Sequence, residues 1–209
     1  MIIQSAALLT SAPDLASSPP SDLPEFAFIG RSNVGKSSMI NMLTRVKGLA
    51  KVSDTPGKTQ LINFFIVNKS WTLVDLPGYG YAKAGRKDRA NFTSLVSDYL
   101  QNRPNLQATF VLIDSRLTPQ QIDLDFLLWM VDCGRPFHLI FTKTDKLSRT
   151  AAQVNIDTFL IRVREFSADA PTVLASSSML GHGRTEIMDL IASTLADSRA
   201  DREARKTCL

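Results

Sequence analysis

At 209 residues and 23.0 kDa, the chain has the size of one domain with a core of its own. Its 44% hydrophobic and 21% charged residues set aside a disordered or fibrous protein, and no apolar run approaches the roughly 18 residues that a bilayer span needs. Net charge is +4, too small to name a partner, and two cysteines, Cys133 and Cys208, supply neither a disulfide framework nor a zinc-ligand spacing, so a reducing cytoplasm is the expected compartment.

Ile2 to Leu9 is weakly apolar, lacks a basic flank and reads as ordinary mature sequence rather than a signal peptide. Ser11 to Pro24 holds four prolines and several serines without helical or strand period. Residues 1–24 are therefore expected to form an extended Pro/Ser-rich leader, followed by one globular domain over 25–197 and a charged tail over 198–209. Within the domain, β-type runs occur at Glu25 to Ile29, Leu61 to Val67, Trp71 to Asp75, Ala108 to Asp114, Phe137 to Thr142 and Thr172 to Ala175. Helix-compatible segments separate them. Pro119 to Val131, Leu147 to Ser167 and Thr185 to Leu195 carry apolar residues at helical spacing, and Ser148 is placed to cap the second. Most of the strands are nearly continuous apolar runs, as in a sheet covered on both faces. The prediction is an α/β fold: a mostly parallel six-stranded sheet with helices on both faces.

Gly30 to Ser37 reads GRSNVGKS, which satisfies G-x-x-x-x-G-K-[ST] between the strand EFAFI and the helix-like SSMINMLTRV. Gly30 and Gly35 let the backbone curl so that the N–H groups of Arg31, Ser32, Asn33 and Val34 turn toward phosphate oxygens at a helix N-terminus. Lys36 is positioned to neutralise the β and γ phosphates, and the Ser37 hydroxyl to ligate Mg²⁺. Thr142 to Asp145 reads TKTD directly after FHLIF and matches [NT]-K-x-D. A carboxylate at Asp145 accepts from guanine N1–H and N2–H₂, donors that adenine does not offer as a pair; the Lys143 stem can lie over the base, and Thr144 completes the loop.

Asp75 to Gly78, with Leu76 and Pro77 between them, reads DLPG at the end of the strand WTLV. The aspartate suits an Mg²⁺-bound water and the Gly78 N–H suits the γ-phosphate, so the segment beyond would respond to hydrolysis. Upstream, Gly57, Lys58, Thr59, Gln60 and Leu61 precede a strand; Thr59 is the candidate second Mg²⁺ ligand, with Thr55 as the alternative. Ser176, Ser177 and Ser178 follow TVLA and resemble a guanine loop of the form SAxxxxG, with Ser177 paired to Gly183 at the right spacing but no alanine after the serine.

The runs GRSNVGKSS, TPGKTQLINFF and DLPGYGYA, with TKTD and SSS in order, resemble the EngB (YihA/YsxC) GTPases of the TrmE-Era-EngA-EngB-septin group. The resemblance covers about residues 6–195. It implies a Ras-like P-loop G domain binding GTP, GDP and Mg²⁺, a soluble monomer, assistance to assembly of the large ribosomal subunit, and a requirement in cell division and septation. Ras-type proteins place a water-orienting glutamine after the DxxG glycine; here Tyr79 stands there, so slow intrinsic turnover is expected. Related GTPases hold K⁺ at the P-loop position filled by Asn33, which reads equally well as a turn-tolerant asparagine. Lys36, Asn33 and Thr59 are thus the candidate catalytic residues.

Charge is unevenly placed: −3 over residues 1–25, +8 over 26–103 and −1 over 104–209. Lys47, Lys51, Lys58, Lys69, Lys83, Arg86, Lys87 and Arg89 flank the candidate switch segments and would suit RNA, or would simply be a solvated loop. Tyr79 and Tyr81 suit base stacking or core packing. His138 reads as structural, and His182 has no assigned role. A small-molecule kinase lacks an evident acceptor site, and a membrane-linked signalling GTPase lacks a lipidation box, since only Leu209 follows Cys208.

Overall fold

Phe26 and Phe28 point to one side of the strand Glu25–Gly30 (β2) and Ala27 and Ile29 to the other, and all four are fully buried. Period-two alternation with both faces apolar makes this the centre of a covered sheet. The computed structural model describes residues 1–20, 23–51, 61–79 and 86–207, the side chains of 86–93, 199 and 201–207 excepted. It places β2 beside Trp71–Asp75 (β4) on one side and Leu106–Asp114 (β5) on the other, both parallel to it. Phe137–Thr142 (β6) and Thr172–Ala175 (β7) extend the parallel array. Beyond β4, Ile62–Val67 (β3) pairs antiparallel, and Ala6–Ala12 (β1) pairs antiparallel with β3. The order is β1-β3-β4-β2-β5-β6-β7.

Among the described residues the sheet therefore has seven strands, not six. The extra one, β1, lies in what the sequence presents as an extended leader. Its signal is faint because it is an edge strand: Leu8 and Leu9 remain exposed, Ala12 is buried, and its register shifts between Leu8 and Thr10. Asn68 Oδ1 accepts from the N–H groups of Gln4 and Ser5, and Asn68 Nδ2 donates to the Ile2 carbonyl. Long-range pairing of this kind leaves no local pattern. All six predicted strands are present, with β5 starting two residues earlier than its apolar run.

Helices Lys36–Thr44 (α1) and Arg184–Thr207 (α5) cover one face. Met39, Ile40 and Leu43 pack there with Ile187, Met188, Ile191, Phe26 and Phe28. Helices Arg86–Asn102 (α2), Gln121–Asp132 (α3) and Arg149–Val163 (α4) cover the other, with Tyr99, Leu127, Met130 and Phe159 against Ala27, Ile29 and Val111. Ser148 caps α4, accepting from the Ala151 N–H at 3.2 Å. Helix α5 runs through residue 198 without interruption.

At the amino end of β2, fully buried Glu25 accepts from Tyr99 Oη at 2.6 Å, Arg103 Nε at 2.8 Å and Arg103 Nη2 at 2.6 Å. A bidentate guanidinium and a phenol satisfy a carboxylate that would otherwise be costly to bury. Burial and the neighbouring Glu25 charge both raise the Tyr99 hydroxyl well above its ordinary value, so it remains a donor. This network anchors the sheet at the end away from the motifs.

Candidate nucleotide site

The phosphate loop, DLPG, TKTD and the serine loop each sit at the carboxyl end of a parallel strand. Gly30 ends β2, Asp75 ends β4, Asp114 ends β5, Thr142 ends β6 and Ala175 ends β7, and the register sets Asp114 opposite Thr142 and Phe141 opposite Ala175. Open α/β sheets bind ligands at this edge.

The loop from Arg31 to Gly35 leaves β2 and enters α1 with Asn33 at φ 63° and Gly35 at φ 105°. Left-handed backbone is tolerated by asparagine and natural for glycine. Gly30 has a second constraint: a Cβ there would lie 2.8 Å from the Leu112 carbonyl and 2.9 Å from Val34 Cγ1. No side chain caps α1, and its first turn carries no acid. Its first N–H groups and dipole end are therefore suited to an anion. The Lys36 ammonium pairs with Asp75, whose other oxygen accepts from Asn63 Nδ2 at 3.4 Å. Ser37 is partly exposed in the same first turn.

Leu76 donates its N–H to the Phe28 carbonyl, which holds DLPG against β2. Gly78 is closer still: a Cβ there would meet the Gly30 carbonyl at 2.4 Å and Ser32 N at 3.4 Å. Leu76 and Pro77 are buried. Tyr79 is buried as well, its ring stacked on Phe126 at 4.2 Å. Of the two readings of this tyrosine, core packing is the one realised.

The base-reading residues converge on the same loop. Lys143, at φ 59°, sends Nζ to the Asn33 carbonyl at 2.6 Å and to Asp114 Oδ2 at 2.8 Å. Thr142 Oγ1 donates to the Val34 carbonyl at 2.7 Å. Thr144 donates from N and Oγ1 to the Ser176 carbonyl, at 3.2 Å and 3.0 Å. Ser177 Oγ donates to Asp145 Oδ1 at 2.6 Å. That bond, foremost, lowers the Asp145 carboxyl from its ordinary value and keeps it an acceptor-only group.

The serine loop closes as its spacing suggests. Ser176 Oγ and Ser177 N both donate to the His182 carbonyl, and Gly183, at φ 78°, passes so near β7 that a Cβ would lie 2.3 Å from the Ala175 carbonyl. His182 thus acts through its backbone. Ser178 follows, half-buried. His138 packs on Phe110 at 5.4 Å, and burial lowers its pKa, consistent with a structural role.

Arg31, Ser32, Asn33, Val34, Asp114, Arg116, Leu117 and Lys143 line a concavity of about 230 Å³. Thr55, Gly57, Lys58, Thr59, Gln60, Tyr81 and Lys83 lie outside the described residues, as do the side chains of Arg86, Lys87 and Arg89. Leu61 is exposed just before β3. Lys47 and Lys51 are exposed, whereas Lys69 lies in the β3–β4 turn, at the opposite end of those strands from Asp75, and so leaves the group of cations near the switch segments.

The family described as 50S ribosome-binding GTPase matches residues 25–143. "Probable GTP-binding protein EngB" of Bacteroides thetaiotaomicron is 51% identical over 191 residues, covering 91% of this chain and 95% of that one. The chain belongs to the EngB family of GTP-binding proteins. The protein of the same name from Porphyromonas gingivalis is 49% identical over 92% of this chain and 96% of its own. In structure, the fold matches "Crystal structure of a probable GTP-binding protein engB" with a TM-score of 0.67 at 20% identity, over 83% of this chain and 99% of that one. Among the described residues, no helix is long and apolar enough to cross a membrane.

Three residues of this EngB chain join the site without belonging to any of its motifs. Asp114 binds both Lys143 and Arg116, whose Nε and Nη2 lie at 2.9 Å and 2.8 Å. Burial works against ionisation of Asp114, but the hydrogen bonds from Arg116 and Lys143 outweigh it and leave the carboxyl at about 2. The third, Asp123, faces the core from α3. An acid at the end of an apolar strand and an acid on the buried face of a helix are the two signals that mark Asp114 and Asp123 in sequence. As for the Mg²⁺ that the fold family implies, the hard oxygens of Ser37 and Asp75, both beside Lys36 at the carboxyl edge of the sheet, fit such an ion.

Proposed function

We propose that this chain is a guanine-nucleotide switch that binds GTP and GDP with Mg²⁺, hydrolyses GTP slowly, and acts on the large ribosomal subunit. The observation that carries the nucleotide reading is the joint held by Lys143. One ammonium ties the phosphate loop, through the Asn33 carbonyl, to the loop where Ser177 orients Asp145. A phosphate cradle and a guanine acceptor are thereby held at a fixed separation.

In this reading the Arg31 to Gly35 loop, Lys36 and the α1 N-terminus hold the phosphates, and Asp145 reads the base. Gly78 N–H takes the γ-phosphate. Ser37 and Thr59 are the residues that would hold Mg²⁺, which would supply neutralisation of phosphate charge. Tyr79 is buried and stacked, and its hydroxyl is taken up by Asp123, so it does not stand in for a water-orienting glutamine. With Asn33 exposed at the phosphate loop, K⁺ is the proposed source of the missing positive charge, and hydrolysis is then expected to be several times faster in KCl than in NaCl of equal ionic strength. Equal rates would remove K⁺ from the mechanism.

The ribosomal role is supported by the description of the matching family and by the exposed cations Lys47 and Lys51 that follow α1. The proposed setting is the cytoplasm, with the chain acting as a monomer, and the proposed requirement in division and septation is read as one consequence of ribosome supply. Co-sedimentation with purified large subunits tests it. Binding should be seen with GTP and not with GDP, and should weaken steeply with salt. Binding indifferent to both nucleotide and salt would count against the switch.

A further inference from the structure

Asp123 is a carboxylate only 1% exposed, on the face of α3 that also buries Leu124, Leu127 and Met130. A charge in that place is costly unless it is paired. Its partners come from two different functional segments. Arg31 Nε, from the phosphate loop, lies 3.2 Å from Oδ1, and Tyr79 Oη, from the residue after DLPG, donates to the same oxygen at 3.0 Å. The Tyr79 ring is already seated on Phe126. Hydrophobic packing alone would be served as well by phenylalanine; the phenol and the buried acid add direction at a desolvation cost.

The residue before Tyr79 is Gly78, whose backbone lies against the Gly30 carbonyl and Ser32 N. The contact at Gly78 and the contact at Asp123 therefore bracket one peptide. We propose that Asp123 is a positioning residue that locks Tyr79 to the phosphate loop through Arg31 and so keeps Gly78 seated where a γ-phosphate would arrive. This rests on the GTP reading given above. With the junction intact, the ordering of Gly78 is done before the ligand binds. With it broken, that ordering is charged to GTP, which reaches Gly78, and not to GDP, which lacks the γ-phosphate.

The test compares Tyr79→Phe, Asp123→Asn and the double variant with the unaltered full-length chain. Calorimetry would give Kd for GDP and for a non-hydrolysable GTP analogue with Mg²⁺. Each single variant should lower the GTP-over-GDP preference about fivefold relative to the unaltered chain, the scale of one hydrogen bond, and leave GDP affinity within about twofold. The double variant should be no worse than the more affected single, because both changes act on one junction: phenylalanine removes the donor, and asparagine keeps an acceptor oxygen but loses the charge that pairs with Arg31. An unchanged preference in both singles, or parallel losses for GDP and GTP, would overturn the proposal and leave Asp123 a packing residue. Should Asp123→Asn fail to fold by circular dichroism, Tyr79→Phe, which removes one oxygen and keeps the ring stack, decides alone. Failure of the unaltered chain to prefer guanine over adenine nucleotides would refute the underlying GTP reading and the proposal with it; failure of the junction alone leaves that preference intact.

Discussion

Asp145→Asn should turn a guanine site into a xanthine site. The carboxylate is kept ionised by the Ser177 hydroxyl 2.6 Å away, with Lys146 Nζ 3.3 Å from its second oxygen. In the proposed complex it accepts from guanine N1–H and N2–H₂. Asparagine keeps the shape and the bond from Ser177 but turns one acceptor into a donor, which then faces the guanine amino group. Two hydrogen bonds to a charged group are weakened or lost, each worth about 1.5–3 kcal/mol, so GTP affinity should fall roughly a hundredfold or more. The same amide donor suits the 2-oxo group of xanthine, and XTP should gain where GTP loses. Thr144 N and Oγ1 still reach the Ser176 carbonyl, so the loop keeps its scaffold. Competitive titration of a fluorescent nucleotide with GTP, XTP and ATP would show the exchange. Unchanged GTP affinity would sink the assignment of Asp145 to the base.

What could be read from the sequence divides along physical lines. The six strands β2 to β7 and the phosphate loop are legible because their determinants are local: continuous apolar runs, a Gly-rich turn, and a lysine next to a helix start. TKTD and the serine loop are legible by the same logic, and the Ser177 to Gly183 spacing already contains the closure through the His182 carbonyl. Strand β1 is not legible. Its stability comes from pairing with β3 fifty or more residues away and from Asn68 side-chain bonds, neither of which leaves a period in the segment itself. The acids are hidden for another reason. Asp114 and Asp123 matter through partners brought by other strands and helices, Lys143 and Arg116 in one case, Arg31 and Tyr79 in the other. Tyr79 shows the converse. Its place after DLPG left base stacking and core packing open, and only the position of Phe126 decides between them.

Lys36→Ala should severely weaken binding of both GTP and GDP, because it removes the one lysine of the phosphate loop while leaving its backbone N–H groups in place. Truncating one member of a buried charged pair costs about 2–5 kcal/mol or more in a complex, which converts to roughly thirtyfold to several thousandfold in Kd. Interpretation is complicated by Asp75. Lys36 pairs with that nearly buried carboxylate, and among the described residues its other side-chain contact, Asn63 Nδ2 at 3.4 Å, is long. Alanine therefore leaves an acid with little compensation, and the variant should also lose stability, on the order of 3 kcal/mol. The double variant Lys36→Ala with Asp75→Asn separates the two effects. Removing the stranded charge should recover most of the thermal stability, since an amide is far cheaper to bury than an unpaired carboxylate. It should not recover binding, since nothing replaces the ammonium at the phosphates. Recovery of GDP affinity in the double variant would mean that Lys36 acts by neutralising Asp75 rather than the nucleotide, and the phosphate assignment would then pass to the α1 N-terminus alone.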